Sequence, residues 1–171
     1  HPATKSVYLK TDEVNAIDTS LRTLGVQLIS DQYQKFETTG YAGQSFGAFI
    51  NESVELIHTG YANDYVGKGL SGGQITIKAD QTTRQKANQD PTYTSRHLIA
   101  GNTILYGATS GVCYLEGRVG ERFAVRNSGA IAVNHGMGMH ACEYMTGGVV
   151  ISLGMTHTNI GAGMTGGLLY L

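Results

Sequence analysis

A unit of about eighteen residues recurs along the chain, and a repeat of that size dictates the architecture before any local structure is read. Each unit carries a hydroxyl residue, then glycine, then small or branched apolar residues. The units are Ser71-Gly72-Gly73-Gln74-Ile75, Ser110-Gly111-Val112-Cys113, Ser128-Gly129-Ala130-Ile131, Thr146-Gly147-Gly148-Val149 and Thr165-Gly166-Gly167-Leu168. Their hydroxyl residues stand 39, 18, 18 and 19 positions apart. The first interval is close to two units and contains the polar stretch Asp80 to Arg96. A second glycine closes units at Gly60, Gly101, Gly117, Gly136 and Gly154, and a first unit begins at Gly40, which makes six or seven units.

After its glycine each unit runs into a short apolar stretch such as Ile75-Thr76-Ile77, Ile131-Ala132-Val133 or Val149-Val150-Ile151-Ser152-Leu153. Alternation this short is strand-like, because a helix needs a longer 3.6-residue period. So small a unit cannot bury its apolar face alone and must stack on its neighbours. Stacking in register gives parallel strands about 4.8 Å apart, with corners recurring at equivalent places. Glycine is required at such corners where φ is positive or where the backbone passes close to the next coil. Gly72, Gly111, Gly129, Gly147 and Gly166 are the expected structural corners. A sandwich or barrel would show Asn-Gly or Asp-Gly hairpin turns, and neither dipeptide occurs. The pattern therefore predicts a parallel β-helix.

Composition narrows the function. Gly101 to Leu171 holds 15 glycines but only six charged residues, Glu116, Arg118, Glu121, Arg122, Arg126 and Glu143, which is not the make-up of a disordered segment. A net charge of −1 argues against nucleic acid as a partner. No apolar run approaches the roughly 20 residues of a membrane-spanning helix, and the start HPATKSVYLK lacks a signal-peptide core, so no membrane partner and a cytoplasmic location are expected. Cys113 and Cys142 are too few for a disulfide framework or a four-thiolate cluster and read as reduced, buried thiols. The first residue is His1 instead of methionine, and both a piece of a longer protein and a standalone chain stay open.

Two segments depart from the repeat. Val14, Ile17, Leu21, Leu24 and Leu28 follow helical spacing, which predicts one amphipathic helix over about residues 13–33, packed near the first coils. Residues 80–96 are polar and unpatterned, and are expected to leave the solenoid as an exposed loop. The division expected is an N-terminal extension and helix over 1–39, and a β-helix domain over 40–171 carrying that insertion.

Three constellations invite a chemical reading. Gly67-Lys68-Gly69 lacks the order of a phosphate-binding loop and reads as corner geometry. His135, His140, Cys142 and Glu143 contain zinc-ligand types, but in a strand 140 and 142 would share a face opposite 143, with Cys142 inward. Glu121, Arg122, Arg126 and Glu143 are the charged minority of a nearly uncharged region. They are expected to form ion pairs within the coils or to dock another domain, since arginine suits bidentate pairing with carboxylates. No catalytic, cofactor-binding or metal residue is assigned.

The runs Ala42–Phe49 (AGQSFGAF), Ala62–Gly73 (ANDYVGKGLSGG), Tyr106–Gly111 (YGATSG), Gly120–Ala130 (GERFAVRNSGA) and Cys142–Gly148 (CEYMTGG) resemble the glycine-repeat (GXGXG) domain at the C-terminus of glutamate synthase large subunits. The coil type is also similar to that of a formylmethanofuran dehydrogenase subunit. The resemblance covers Gly40 to Leu171 and extends more weakly to the segment Ile17–Phe36. It implies an all-β, right-handed parallel β-helix of six or seven coils with one N-terminal amphipathic helix. It further implies a non-catalytic scaffold between amidotransferase and synthase domains of an oxidoreductase that assimilates ammonia into glutamate. In that family the FMN and the iron–sulfur cluster belong to the parent enzyme, and none is implied in this chain. The alternatives are a freestanding subunit docking onto glutamate synthase or formylmethanofuran-dehydrogenase-like partners, and a self-contained enzyme or ligand-binding solenoid; homo-oligomerisation stays open.

Overall fold

The computed structural model describes residues 5–9 and 33–171. Among the described residues, ten strands form one sheet: β1 (Lys5–Leu9), β2 (Gln34–Ala42), β3 (Val54–Ala62), β4 (Ser71–Lys78), β5 (Leu98–Ala100), β6 (Ser110–Leu115), β7 (Arg118–Val119), β8 (Ser128–Asn134), β9 (Gly147–Ser152) and β10 (Leu168–Tyr170). Every strand pairing is parallel, and the main path runs β1-β2-β3-β4-β6-β8-β9-β10. Strands that follow one another at about one repeat and pair in parallel make a solenoid, here of about seven turns. Short strands β5 and β7 belong to a second side of the coils, where β5 pairs with β3 and β7.

Stacking in register aligns equivalent residues into columns. Phe36, Leu56, Ile75, Cys113, Ala132, Val150 and Leu169 form one inward column from β2 to β10. Its members from Leu56 to Val150 are 0–2% exposed. Burying one Ile or Leu in this way contributes about 1.5–3 kcal/mol, so the column is a major source of cohesion between coils. Alternate residues of the same strands face outward, which is the period-2 signal seen in the sequence. A neighbouring inward column starts polar. There His58, wholly buried, accepts the Thr38 hydroxyl at Nδ1 (2.8 Å) and donates from Nε2 to the carbonyls of Gly40 and Tyr61 (both 3.1 Å).

Two expectations are modified. The sheet already includes β1 and most of β2 upstream of Gly40, so the coils begin before the expected boundary at residue 40. The stretch 80–96 is largely helical: α1 spans Gln81–Gln89 and α2 spans Tyr93–Arg96. The cause is local capping, since the Asp80 carboxylate accepts the Thr83 amide at 2.7 Å. Arg84 ties α1 to Glu116 of the coils at 2.6 Å, and the same carboxylate accepts the Ala79 amide. The amphipathic helix expected over residues 13–33 lies outside the described residues. No helix among the described residues is long and apolar enough to cross a membrane.

Candidate functional site

Two corners recur on each coil, and they differ in kind. At the first corner, the amides of Ser71, Ser128, Thr146 and Thr165 donate to carbonyls of the preceding coil at 2.9–3.0 Å. The glycine that follows lies against backbone. A Cβ at Gly129 would stand 2.1 Å from the Thr109 oxygen, one at Gly147 2.3 Å from the Ser128 oxygen, and one at Gly166 2.4 Å from the Thr146 oxygen. Gly72 and Gly111 combine such proximity with positive φ, 128° and 98°.

The second corner is a strip in which every other residue has φ between 54° and 70°. In successive coils its members are Ser45, Gly47 and Phe49, then Tyr65, Gly67 and Gly69, then Thr103, Leu105 and Gly107. Arg122, Ala124 and Arg126 follow, then His140, Cys142 and Tyr144, then Asn159, Gly161 and Gly163. Every non-glycine residue with positive φ among the described residues belongs to this strip. Along each rung the amides of consecutive left-handed residues donate in opposite directions along the solenoid. Arg122 and Arg126 donate forward to the carbonyls of Met139 and Glu143 (both 2.9 Å), whereas Ala124 donates back to Ile104 (2.8 Å). A continuous inter-coil ladder thus compensates for a left-handed backbone that costs an L-residue about 1–2 kcal/mol. Gly67-Lys68-Gly69 is one rung of this ladder.

The strip relocates the charged candidates. Arg122 and Arg126 begin and end one rung and are exposed; Glu121 precedes them, also exposed. Glu143 lies one coil on and pairs with His140 Nδ1 at 2.7 Å. Among the described residues none of Glu121, Arg122 and Arg126 forms a side-chain ion pair. The pairing expected within the coils is therefore supplied to Glu143 by a histidine and not by an arginine. Residues 139–144 form a turn and not the expected strand. Because of the positive φ values at His140 and Cys142, His140 is half-exposed while Cys142 is wholly buried. No cluster of three or more His, Cys, Asp or Glu suited to a metal occurs among the described residues. Both thiols are buried and free, and burial pushes each pKa up to about 12.

Between adjacent rungs lies a hollow of about 370 Å³, lined by Tyr65, Lys68, Thr103, Tyr106, Arg122, Val125 and Glu143. Of these, the sequence singles out Arg122 and Glu143 as charged candidates and Lys68 only as part of a corner, whereas Tyr65, Thr103, Tyr106 and Val125 carry no repeat signal of their own. A second hollow, of about 290 Å³, runs beside α1 and is lined by Lys78, Arg84, Glu116 and His135 among others. Two of its charges, Arg84 and Glu116, already pair with each other.

Comparison with known proteins gives this geometry a family. Residues 16–171 match the family model described as the GXGXG motif. The chain is 55% identical over 131 residues to the ferredoxin-dependent glutamate synthase of Antithamnion sp., covering 77% of this chain and 8% of that protein. It is 50% identical over 137 residues to the NADPH glutamate synthase large chain of Bacillus subtilis, covering 80% and 9%. With the NADH glutamate synthase of Schizosaccharomyces pombe it shares 48% identity over 162 residues, covering 88% and 7%. The chain thus spans less than a tenth of the length of each of these three relatives. Its repeat, its glycine-bearing rungs and these matches agree: the chain belongs to the GXGXG-motif family and resembles the C-terminal domain of glutamate synthase that carries the motif.

Proposed function

We propose that this chain is a non-catalytic scaffold domain of a glutamate synthase, a rigid body against which amidotransferase and synthase domains are set in the cytoplasm. The observation that carries this reading is where the reactive groups lie. Cys113 and Cys142 face the core with pKa values pushed up to about 12, whereas a nucleophile or metal ligand needs an accessible thiolate. An iron–sulfur cluster, which takes about four thiolates, does not fit this pair, so cluster and FMN are assigned to the rest of the parent enzyme. What faces outward instead is charge on a stiff frame: Arg122 and Arg126 stand on rungs held at both ends by inter-coil hydrogen bonds. Coils that bond only to their neighbours transmit position along the solenoid axis, which suits a spacer between sites.

The direct test is the purified chain alone. Supplied with glutamine, or with 2-oxoglutarate, ammonia and a reductant, it is expected to release no ammonia and form no glutamate, and to be colourless. Its two thiols are expected to react with an aromatic disulfide reagent only in denaturant. Glutamate formation by the isolated chain, or rapid reaction of a native thiol, would contradict the reading.

A further inference from the structure

The hollow on the left-handed strip exists because two short residues stand in columns of long ones. Along the outward column formed by the first position of each rung, Thr103 lies between Tyr65 and Arg122. Along the fourth position, Val125 lies between Tyr106 and Glu143. Tyrosines therefore wall a depression with a Thr hydroxyl and a Val side chain at its base, and Lys68 and Arg122 stand at its rim. Lys68 is held over the Tyr65 ring at 5.8 Å. Among the described residues neither cation is paired with a carboxylate, and Glu143, the acid that lines the hollow, is taken up by His140.

The backbone adds a second observation. A non-glycine residue at positive φ is strained by about 1–2 kcal/mol, and such strain persists where something else is gained. Of the outward strained positions, five carry large side chains, Phe49, Tyr65, Arg122, Arg126 and Tyr144, and four carry Ser45, Thr103, His140 and Asn159; Phe49 is 46% and Tyr144 58% exposed. Arginine and tyrosine are the side chains that dominate binding energy at protein interfaces.

We propose that this strip is a docking face for an acidic segment of a partner domain, and that the hollow receives one of its Asp or Glu side chains. Arg122 offers a bidentate fork to the carboxylate, Lys68 a second positive charge and Thr103 a hydroxyl. Tyr65 and Tyr106 cover the methylene stem. A free small anion would gain only the exposed ion pairs, which are worth little in water, whereas a segment of chain also covers Phe49, Tyr144 and Arg126 beside the hollow. The partner segment is identified by charge complementarity. The proposal rests on the interdomain reading above and deepens it.

A zero-length carbodiimide tests this in the polypeptide that joins this chain to its catalytic domains. The reagent activates a carboxylate, the Lys68 amine attacks it to form an amide, and the carbodiimide leaves as a urea having taken up the elements of water. Mass spectrometry is expected to find Lys68 linked to an Asp or Glu outside these residues. Arg122→Ala should cut that link about tenfold, the scale of one lost charge-assisted contact, while labelling of Lys78 and Lys86 stays constant. Lys68→Arg, which keeps the charge, should abolish the link without loosening the domain. Links confined to this chain, a yield indifferent to Arg122→Ala, or full protection of Lys68 by inorganic phosphate or acetate would each overturn the proposal. If the Lys68 link is absent while ammonia coupling still depends on this domain, the scaffold reading stands and this inference alone falls.

Discussion

The two corners of each coil solve one problem, reversal of the chain within a parallel stack, in opposite ways. At the Ser/Thr-Gly corner the backbone of one coil lies against a carbonyl of the preceding one, and glycine is there because no Cβ fits. On the left-handed strip the same φ is held by Gly67 and Gly69 in one coil and by Arg122, Ala124 and Arg126 in another. Steric exclusion is absolute, whereas a left-handed φ is a finite cost that a hydrogen-bonded ladder and a filled core can offset. One corner therefore specifies the fold, and the other is free to carry function.

Substitution at the first corner should have the largest effect. Gly129→Val puts a branched side chain where even a Cβ would stand 2.1 Å from the Thr109 oxygen, and Gly147→Val repeats the clash at 2.3 Å. A loss of about 3–4 kcal/mol is expected from chemical denaturation, and an unchanged midpoint in both variants would remove the distinction between the corners.

Acid provides a titratable version of the contrast near Gly40 and Gly60. Burial holds the His58 pKa below its ordinary value, with hydrogen bonds to Tyr61 and Gly40 acting in the opposite sense. The unfolded chain therefore takes up this proton first. His58 contributes full stability above about pH 6.5, and the contribution falls as pH drops from there through the lowered folded pKa. Stability measured between about pH 7 and pH 5 should slope downward, and His58→Gln should flatten part of that slope. His135, also lowered by burial, remains to supply the residue. An identical slope in the variant would assign the acid sensitivity elsewhere.

The smallest effects compare rungs of the strip, and they should differ in sign. Gly107 has φ 66° with no atom within 4 Å of where its Cβ would be, so Gly107→Ala isolates the conformational cost at about 1 kcal/mol destabilising. Arg126→Gly removes the same strain from an exposed side chain without an ion pair. After the extra freedom of glycine in the unfolded chain is subtracted, it should stabilise by about 0.5 kcal/mol. Equal and opposite shifts would show that strain is distributed evenly along the strip; a destabilising Arg126→Gly would show that its side chain contributes to folding.

The legible part of this molecule was the part fixed by exclusion. Ser128-Gly129 and Thr146-Gly147 recur because each coil must pass its neighbour closely, and that requirement writes a period into the residues themselves. Apart from Gly67-Lys68-Gly69, which reads as a corner, the strip was silent because its rungs tolerate many residues: where Arg122, Ala124 and Arg126 hold the left-handed φ, no glycine marks the turn. For the same reason 140–143 read as strand. The helix α1 escaped notice because it has no apolar stripe; its one local sign was Asp80 three residues before Thr83, a capping geometry. Of the candidate site, the charges were visible and their partners were not, since His140 meets Glu143 only once the turn folds.

The proposed scaffold role has the domain act by placement and not by chemistry. The most direct measurement is ammonia-dependent glutamate formation by the parent synthase carrying Arg122→Ala or Glu143→Ala, with FMN content verified. Supplying ammonia bypasses transfer between sites, so the account predicts that this step proceeds as in the unmodified enzyme, even where glutamine-dependent synthesis falls because the domains are misplaced. A collapse of the ammonia-dependent step by about a hundredfold or more, with FMN still bound, is the loss expected of a missing acid or base and would contradict the account.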